Sequence, residues 1–480
     1  MLNQKFTKDK NWIHFIGVGG VATGNLAIAF GEKGYTVTGS DDKLYEPMKS
    51  KLLSSRSIRL FSGYSYKNIC LRNIDYEKFS DSKDHKVPLD YFTIPGLVVA
   101  QGSIDKRNKE MLFAKRRGIT IKHYAEILDE YISVPGKSIV VTGSFGKTTT
   151  TAMIVSVLNK YGPRASYLFG GISNDIDYSC RLRDKETLVS VIEGDEYMSA
   201  NWDKVSKFFY YKPNILVLSG YAYDHADFFK TPGEYFDNFK NLVLQMDPNG
   251  IIIYNRDFPE LQKLAKFSKV KTIGYSKDGF TGELKILGSY NEANANAAIE
   301  VLKILGLSDQ KITQSLSDFR GLKRRLEIVA EIDTTKGRKI TIIDDFGSTP
   351  GKSRSAIEEI KKKYNNAHII VVFEPNLGSR QKNIASDFAG VFDNIDLVVL
   401  PPFLDIPDPN IISNKDFATY ISNGSDNPNK IIILDDQTEI SNLGQTIENN
   451  YLDKDCVIVF MASQSIDRKI KLVREAISSL

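Results

Sequence analysis

Thr142-Gly143-Ser144-Phe145-Gly146-Lys147-Thr148-Thr149-Thr150 is the stretch on which the fold turns. Ser138 to Thr142 ahead of it reads as a strand, and Thr148 to Lys160 behind it as a long helix. A glycine turn between a strand and a helix is the context in which a phosphate loop forms. Backbone N–H groups of Gly143, Ser144, Phe145, Gly146 and Thr149 are expected to cradle phosphates, with Lys147 reaching the β and γ positions and the Thr148 hydroxyl on Mg²⁺. Val141 stands where the full pattern has its first glycine. ATP and Mg²⁺ are the cofactors this loop predicts, a purely structural glycine turn being the alternative.

Outward on the C-terminal side, the strand Leu188 to Ile192 runs into Glu193-Gly194-Asp195-Glu196, and the strand Ile215 to Ser219 is followed by Asp224-His225. In a doubly wound sheet the strand C-termini converge on the ligand crevice. Glu193 and His225 are therefore expected beside Thr148 as ligands of a metal that the phosphates also hold. The other histidines considered, His85, His123 and His368, show no partner pattern in the sequence.

Outward on the N-terminal side, Trp12 to Ile16, Gly17 to Gly20, Val21 to Lys33 and Tyr35 to Gly39 read as strand, turn, helix and strand. Gly17-Val18-Gly19-Gly20-Val21-Ala22 fits G-x-G-x-x-G/A, a turn that lets backbone N–H groups approach a phosphate at a helix N-terminus. Asp41 follows the next strand, where a carboxylate meets a ribose hydroxyl. A nucleotide-type ligand is expected here, against a glycine turn that serves close packing alone.

Val134-Pro135-Gly136 breaks the first alternation and the basic stretch Phe319 to Arg325 lies near the end of the second. The third runs through Ile340 to Asp344, Lys352 to Tyr364, His368 to Phe373, Leu397 to Leu400, Lys430 to Leu434 and Cys456 to Met461. The expected architecture is α/β with three domains in series: Rossmann-like over 1–134, a P-loop ATPase-like parallel sheet over 135–317 and Rossmann-like again over 318–480.

Composition agrees and removes other classes. At roughly 100 to 200 residues per domain, 480 residues suit about three, and 42% hydrophobic with 25% charged residues is ordinary globular usage. A net charge of +4 is too weak to point to nucleic acid or an anionic membrane. Three dispersed cysteines offer neither a disulfide framework nor metal-ligand spacing. No window reaches transmembrane length, and a cytoplasmic protein, monomeric or weakly dimeric, is expected.

The chain resembles the Mur ligases, ATP-dependent amide-forming enzymes of bacterial cell-wall synthesis. The resemblance rests on Gly17 to Gly20, Thr38 to Asp41, Thr142 to Thr150, Glu193 to Glu196, Asp224-His225, Gly288 to Asn294, Phe319 to Arg325, Asp344 to Phe346 and Ser379-Arg380. It implies that the first domain holds UDP-N-acetylmuramate, the central one ATP, and the third brings the amine. It further implies catalytic roles for Lys147, Glu193 and His225, the last two as ligands of a second Mg²⁺, ATP contacts at Asn291, Arg325 and Asp345, and an amino-substrate contact at Arg380. Val37 to Pro47, Glu193 to Tyr197, Ser206 to Phe208 and Asp224 to Phe228 look most like the branch that joins an L-alanyl tripeptide to UDP-N-acetylmuramate in peptidoglycan recycling. The alternative is the branch that adds free L-alanine in de novo synthesis. Family histidines are replaced by Phe145, Tyr290, Ser348, Thr349 and Asn376, so a relative that binds ATP without catalysing ligation is the non-enzyme alternative. A nicotinamide oxidoreductase would leave Lys147-Thr148 unexplained.

Overall fold

In the computed structural model the described residues are 6–72, 92–224, 228–403, 408–422, 431–462 and 467–477. They form two compact units, one of Met1–Lys285 with Tyr290–Arg320 and one of Ile286–Ser289 with Gly321–Leu480.

The first unit carries two parallel-dominated sheets. One is built from β1 (Phe6–Ile16), β2 (Thr36–Asp41), β3 (Ile58–Ser62), β4 (Leu71–Arg72), β5 (Phe92–Ala100) and β6 (Thr120–His123). Its order is β3-β2-β1-β5-β4, with β6 also on β5, and only the short β4 runs antiparallel. The other uses β7 (Ser138–Thr142), β8 (Ala165–Leu168), β9 (Cys180–Arg181) and β10 (Val189–Gly194). After the hairpin of β11 (Met198–Ala200) and β12 (Asp203–Ser206) it adds β13 (Ile215–Leu218), β14 (Ile251–Asn255) and β15 (Lys271–Tyr275), in the order β15-β14-β13-β7-β10-β8-β9. All five residues of β7 are buried, as a strand covered by helices on both faces requires.

One hydrophobic core runs through both sheets, from Phe15, Phe30 and Leu128 to Leu182, Phe208, Tyr211 and Leu216. The helix Tyr124–Tyr131 packs on the 3-10 turn Lys207–Tyr211, and the helix Val21–Glu32 on β9. The exposed Pro-Gly break near residue 135 therefore joins two sheets that share one core. Burying an aromatic such as Phe208 is worth about 1.5–3 kcal/mol, so this seam contributes to the stability of both sheets.

The second unit holds β16 (Glu327–Asp333), β17 (Lys339–Asp345), β18 (His368–Glu374), β19 (Leu397–Leu400), β20 (Ile431–Ile433) and β21 (Cys456–Ala462), ordered β16-β17-β21-β18-β19-β20. β16 is antiparallel to β17 and absent from the sequence expectation. Its burial is only intermediate or low along its whole length, so it lacks the apolar run by which the parallel strands are recognised.

Candidate active site

β7 is the pivot of the central sheet. Thr142 at its end lies in register with Gly194 of β10 on one side and Leu218 of β13 on the other. Three loops therefore leave the sheet side by side: Gly143 to Gly146, Asp195-Glu196, and Ser219 to Asp224. Gly143 (φ +133°) and Gly146 (φ +81°) adopt backbone that L side chains rarely enter. The turn folds back far enough for the Ser144 N–H to donate to Gly220 O at 2.9 Å. Gly146 then caps the helix Lys147–Tyr161, and a Cβ there would run into Asn294 Oδ1.

The expected residues Lys147, Thr148 and Glu193 meet at this point. Thr148 donates to Glu193 Oε1 at 2.8 Å, and the Gly170 N–H to Oε2 at 2.6 Å. Lys147 Nζ donates to Gly143 O at 2.6 Å and to Glu196 Oε2 at 2.9 Å. Burial favours the neutral amine, but Glu196, Asp195 and Glu193 outweigh it and raise the lysine pKa, so the ammonium stays charged. Glu193 is pushed up from the ordinary carboxylate value by burial and by neighbouring Asp195. Asp195 pairs with Lys207 at 2.8 Å, and Lys207 Nζ lies 4.0 Å from the centre of the Tyr197 ring.

Asn291 is buried on the helix Tyr290–Ile304, where its Oδ1 accepts from Asn294 Nδ2 at 2.9 Å; Asn294 Oδ1 in turn accepts from Thr150 at 3.2 Å. Asn294 is thus a loop-supporting residue that the sequence reading did not single out, although an i, i+3 pair with Asn291 was its signal. Phe145 and Tyr290, which replace histidines, are 44% and 42% exposed, so neither ring is spent on the core. Thr149 lies in the first turn of the helix Lys147–Tyr161. His225 lies outside the described residues.

In the first sheet the glycine turn is closed on its own chain. Gly17 (φ +80°) and Val18 donate to Ser40 O at 2.9 and 3.2 Å, and the Gly19 N–H to Asp41 Oδ2 at 2.8 Å. Asp41 was expected at a ribose hydroxyl; here its carboxylate satisfies the turn, and Gly20 caps the following helix without a side-chain cap. Beneath it, Glu110 accepts from Ser40 Oγ (2.6 Å), Asn68 Nδ2 (2.6 Å) and the Ser65 N–H (3.0 Å). Its Oε2 also lies 3.3 Å from His14 Nε2, with both side chains fully buried.

In the second unit Arg324 (φ +60°) and Leu326 (φ +49°) are left-handed, and Arg325 between them is exposed. Asp345 was expected to contact ATP. It is buried and accepts from the Leu326 N–H (2.9 Å) and Gly347 N–H (2.7 Å), so it holds the strained loop that presents Arg325. Asp344 beside it is pushed up to about 6 by burial, against the pull of Arg324. Arg380, expected to meet the amino substrate, is 5% exposed and donates through Nε (3.1 Å) and Nη2 (2.9 Å) to Ile412 O. Asn376 Oδ1 caps the turn at the Ser379 N–H (2.7 Å), and its amide reaches Ser348 Oγ at 3.5 Å, so two of the histidine replacements touch each other.

Three family models match in series: the Mur ligase family catalytic domain over residues 12–134, the Mur ligase middle domain over 141–302, and the Mur ligase glutamate ligase domain over 324–463. The chain belongs to the Mur ligase family. With that family come the α/β fold and an ATP-dependent, C–N bond-forming ligase activity. A UDP-N-acetylmuramate–L-alanine ligase of Dictyoglomus turgidum is 29% identical over 417 residues, covering 81% of each chain. Among solved structures, the UDP-N-acetylmuramate-alanine ligase of Thermotoga maritima superposes with TM-score 0.71 at 21% identity over 98% of this ligase and 99% of that chain. A murein peptide ligase from Psychrobacter arcticus superposes with TM-score 0.65 at 22% identity, covering the same shares.

Proposed function

We propose that this ligase joins L-alanine to UDP-N-acetylmuramate at the expense of ATP. The observation that carries the reaction type is the meeting of Lys147, Thr148 and Glu193 where the C-terminal ends of β7 and β10 lie side by side. The choice of acceptor is supported by eight relatives, 26–29% identical, that bear the name UDP-N-acetylmuramate–L-alanine ligase. This reverses the preference for a tripeptide drawn from Val37 to Pro47, Glu193 to Tyr197, Ser206 to Phe208 and Asp224 to Phe228. Two of those stretches, Glu193 to Tyr197 and Ser206 to Phe208, pack on each other through Asp195, Lys207 and Tyr197, so an internal ion pair accounts for their part of the likeness.

In this reading residues 1–134 hold the UDP-sugar, 135–317 the ATP, and 318–480 the amine. A muramate carboxylate oxygen attacks the γ-phosphorus and ADP leaves; the amine nitrogen then attacks the acyl carbon, phosphate leaves, and the amine gives up its proton. Phosphorylation turns a carboxylate, a poor electrophile, into one with a good leaving group. Lys147 offsets the charge as two anions approach, an electrostatic role that depends on placement. The Thr148 hydroxyl and Glu193 carboxylate, 2.8 Å apart, are the hard oxygen donors that suit Mg²⁺, which takes one or two carboxylates together with phosphates. His225 is the third proposed ligand. Bound there, Mg²⁺ would supply charge neutralisation on the phosphates. The turn Gly143 to Thr149 lies on the phosphate side, with the Ser144 N–H already taken by Gly220 O, and Asn291, Arg325 and Asp345 belong to the ATP side, Asp345 by shaping the arginine loop. Gly17 to Gly20 with Asp41 belong to the UDP-sugar, and Arg380 to the amine side.

The test is isotopic. With ¹⁸O in the muramate carboxylate, the phosphate released during ligation carries one labelled oxygen. Release of unlabelled phosphate would rule out the acyl phosphate.

A further inference from the structure

The three acids of Glu193-Gly194-Asp195-Glu196 have different partners: Glu193 takes Thr148 and Gly170, Asp195 takes Lys207, and Glu196 takes Lys147. Nothing in the proposed reaction uses Glu196. Its side chain is 1% exposed, and its Oε2 holds the one ammonium that must reach the transferring phosphate. Its other oxygen, Oε1, lies 3.5 Å from the Tyr235 hydroxyl, which lies 2.8 Å from Ser144 Oγ in the phosphate loop. Ser144 Oγ donates to Ala222 O at 2.6 Å and accepts from the Ala222 N–H at 2.8 Å. Its hydroxyl proton is thereby spent on Ala222, so the Tyr235 proton is the one that closes the Tyr235–Ser144 contact. Burial and Glu196 raise the Tyr235 pKa, so that proton is present at neutral pH. One phenolic proton thus has two acceptors in reach, Ser144 Oγ at the shorter distance and Glu196 Oε1 at the longer one.

We infer that Glu196 is a positioning residue that latches Lys147, and that nucleotide binding exchanges the latch for a Tyr235–Glu196 hydrogen bond. When a triphosphate takes the ammonium, Glu196 loses its counter-charge in a site from which water is largely excluded. The donor already beside it is the Tyr235 hydroxyl. Turning that proton toward Oε1 withdraws it from Ser144 and loosens the tie between the phosphate loop and Ala222, two residues before Asp224. The state of the lysine is in this way transmitted to the loop that leads to the proposed metal ligand His225. A latched lysine also lowers apparent affinity, because only the unlatched fraction binds productively.

The inference rests on the assignment of Lys147 to the nucleotide, and the experiment separates the two. The probe is a non-hydrolysable ATP analogue with Mg²⁺, its Kd measured by calorimetry on the full chain, alongside kcat for ATP-dependent ligation. Glu196→Gln keeps the shape and removes the charge; it is expected to bind the analogue about fivefold to tenfold more tightly. Glu196→Asp, which withdraws the carboxylate by one methylene, is expected to shift Kd the same way by a smaller factor and serves if the glutamine variant does not fold. Tyr235→Phe is expected to lower kcat several-fold with Kd within about twofold of wild type. Unchanged or weaker binding by the Glu196 variants, or an unchanged kcat in Tyr235→Phe, would overturn the latch. Lys147→Ala is the control: if it binds the analogue as well as wild type does, the nucleotide assignment itself is wrong.

Discussion

The positions of Glu193 and Thr148 were legible because one lies near the end of a strand and the other opens the helix after a glycine turn, where the chemistry asks for an acid and a hydroxyl. What the sequence does not carry is how neighbouring acids divide their partners. Glu193, Asp195 and Glu196 look alike along the chain, yet successive loop positions point to different neighbours, one to Thr148, one to Lys207 and one to Lys147. If Glu193 and Thr148 hold Mg²⁺, Glu193→Ala and Thr148→Ala should raise the Mg²⁺ concentration for half-maximal activity by about tenfold or more, second-sphere changes alone costing 10–100-fold. Part of the lost rate should return at high Mg²⁺. An unaltered Mg²⁺ titration in both variants would remove them from the metal site. The histidines mark the reverse failure. His368 showed no pattern in the sequence because its partners are distant along the chain, Asp396 at 3.0 Å and Asp453 at 2.7 Å, while His123 reaches distant Asp203 at 3.0 Å and also caps a helix with Glu126, a local pair that went unread.

Among the elements, the strands flanking β7 could be read from largely apolar runs and β2 from its place after a glycine turn and helix, whereas β16 could not, being an edge strand of mixed exposure. The buried carboxylate of Glu110 ties β1, β2 and the helix Lys109–Arg116 together under the first glycine turn. Glu110→Ala strands His14, Ser40 and Asn68 without their shared acceptor, and should cost about 3–5 kcal/mol of stability; urea unfolding measures this. In the second unit Asp345 acts on the loop, so Asp345→Ala and Arg325→Ala should not add: the double variant should bind nucleotide no more weakly than the worse single one. Additive losses would give Asp345 a ligand contact of its own. His368 at the start of β18 provides a pH test. Burial opposes its charge, but Asp396 and Asp453 outweigh burial and raise its pKa. A raised folded-state pKa means stabilisation that is complete below about 6.5, the unfolded value, and lost as pH rises through the folded one. Between pH 6 and pH 9 the wild type should therefore lose more thermal stability than His368→Gln, and equal losses would deny the histidine its charge.

For the whole molecule, the order of three α/β alternations was readable because each begins at a strand followed by a turn or break of unmistakable composition. The shared core of the first two sheets was not, because Leu128, Tyr211 and Leu216 are ordinary apolar residues until the fold brings them together. The acceptor was the least readable property: of the stretches that pointed to a tripeptide, two are tied to each other through Asp195 and Lys207, and Arg380 is turned onto Ile412 O. Free L-alanine is the acceptor proposed for this Mur ligase. That assignment is tested most directly by kcat/KM for ATP-dependent amide formation on UDP-N-acetylmuramate, with L-alanine and with L-alanyl-γ-D-glutamyl-meso-diaminopimelate as acceptors under the same conditions. A preference for L-alanine of about tenfold or more, equivalent to ~1.4 kcal/mol of transition-state binding, is the predicted result. An equal or greater kcat/KM for the tripeptide would contradict it.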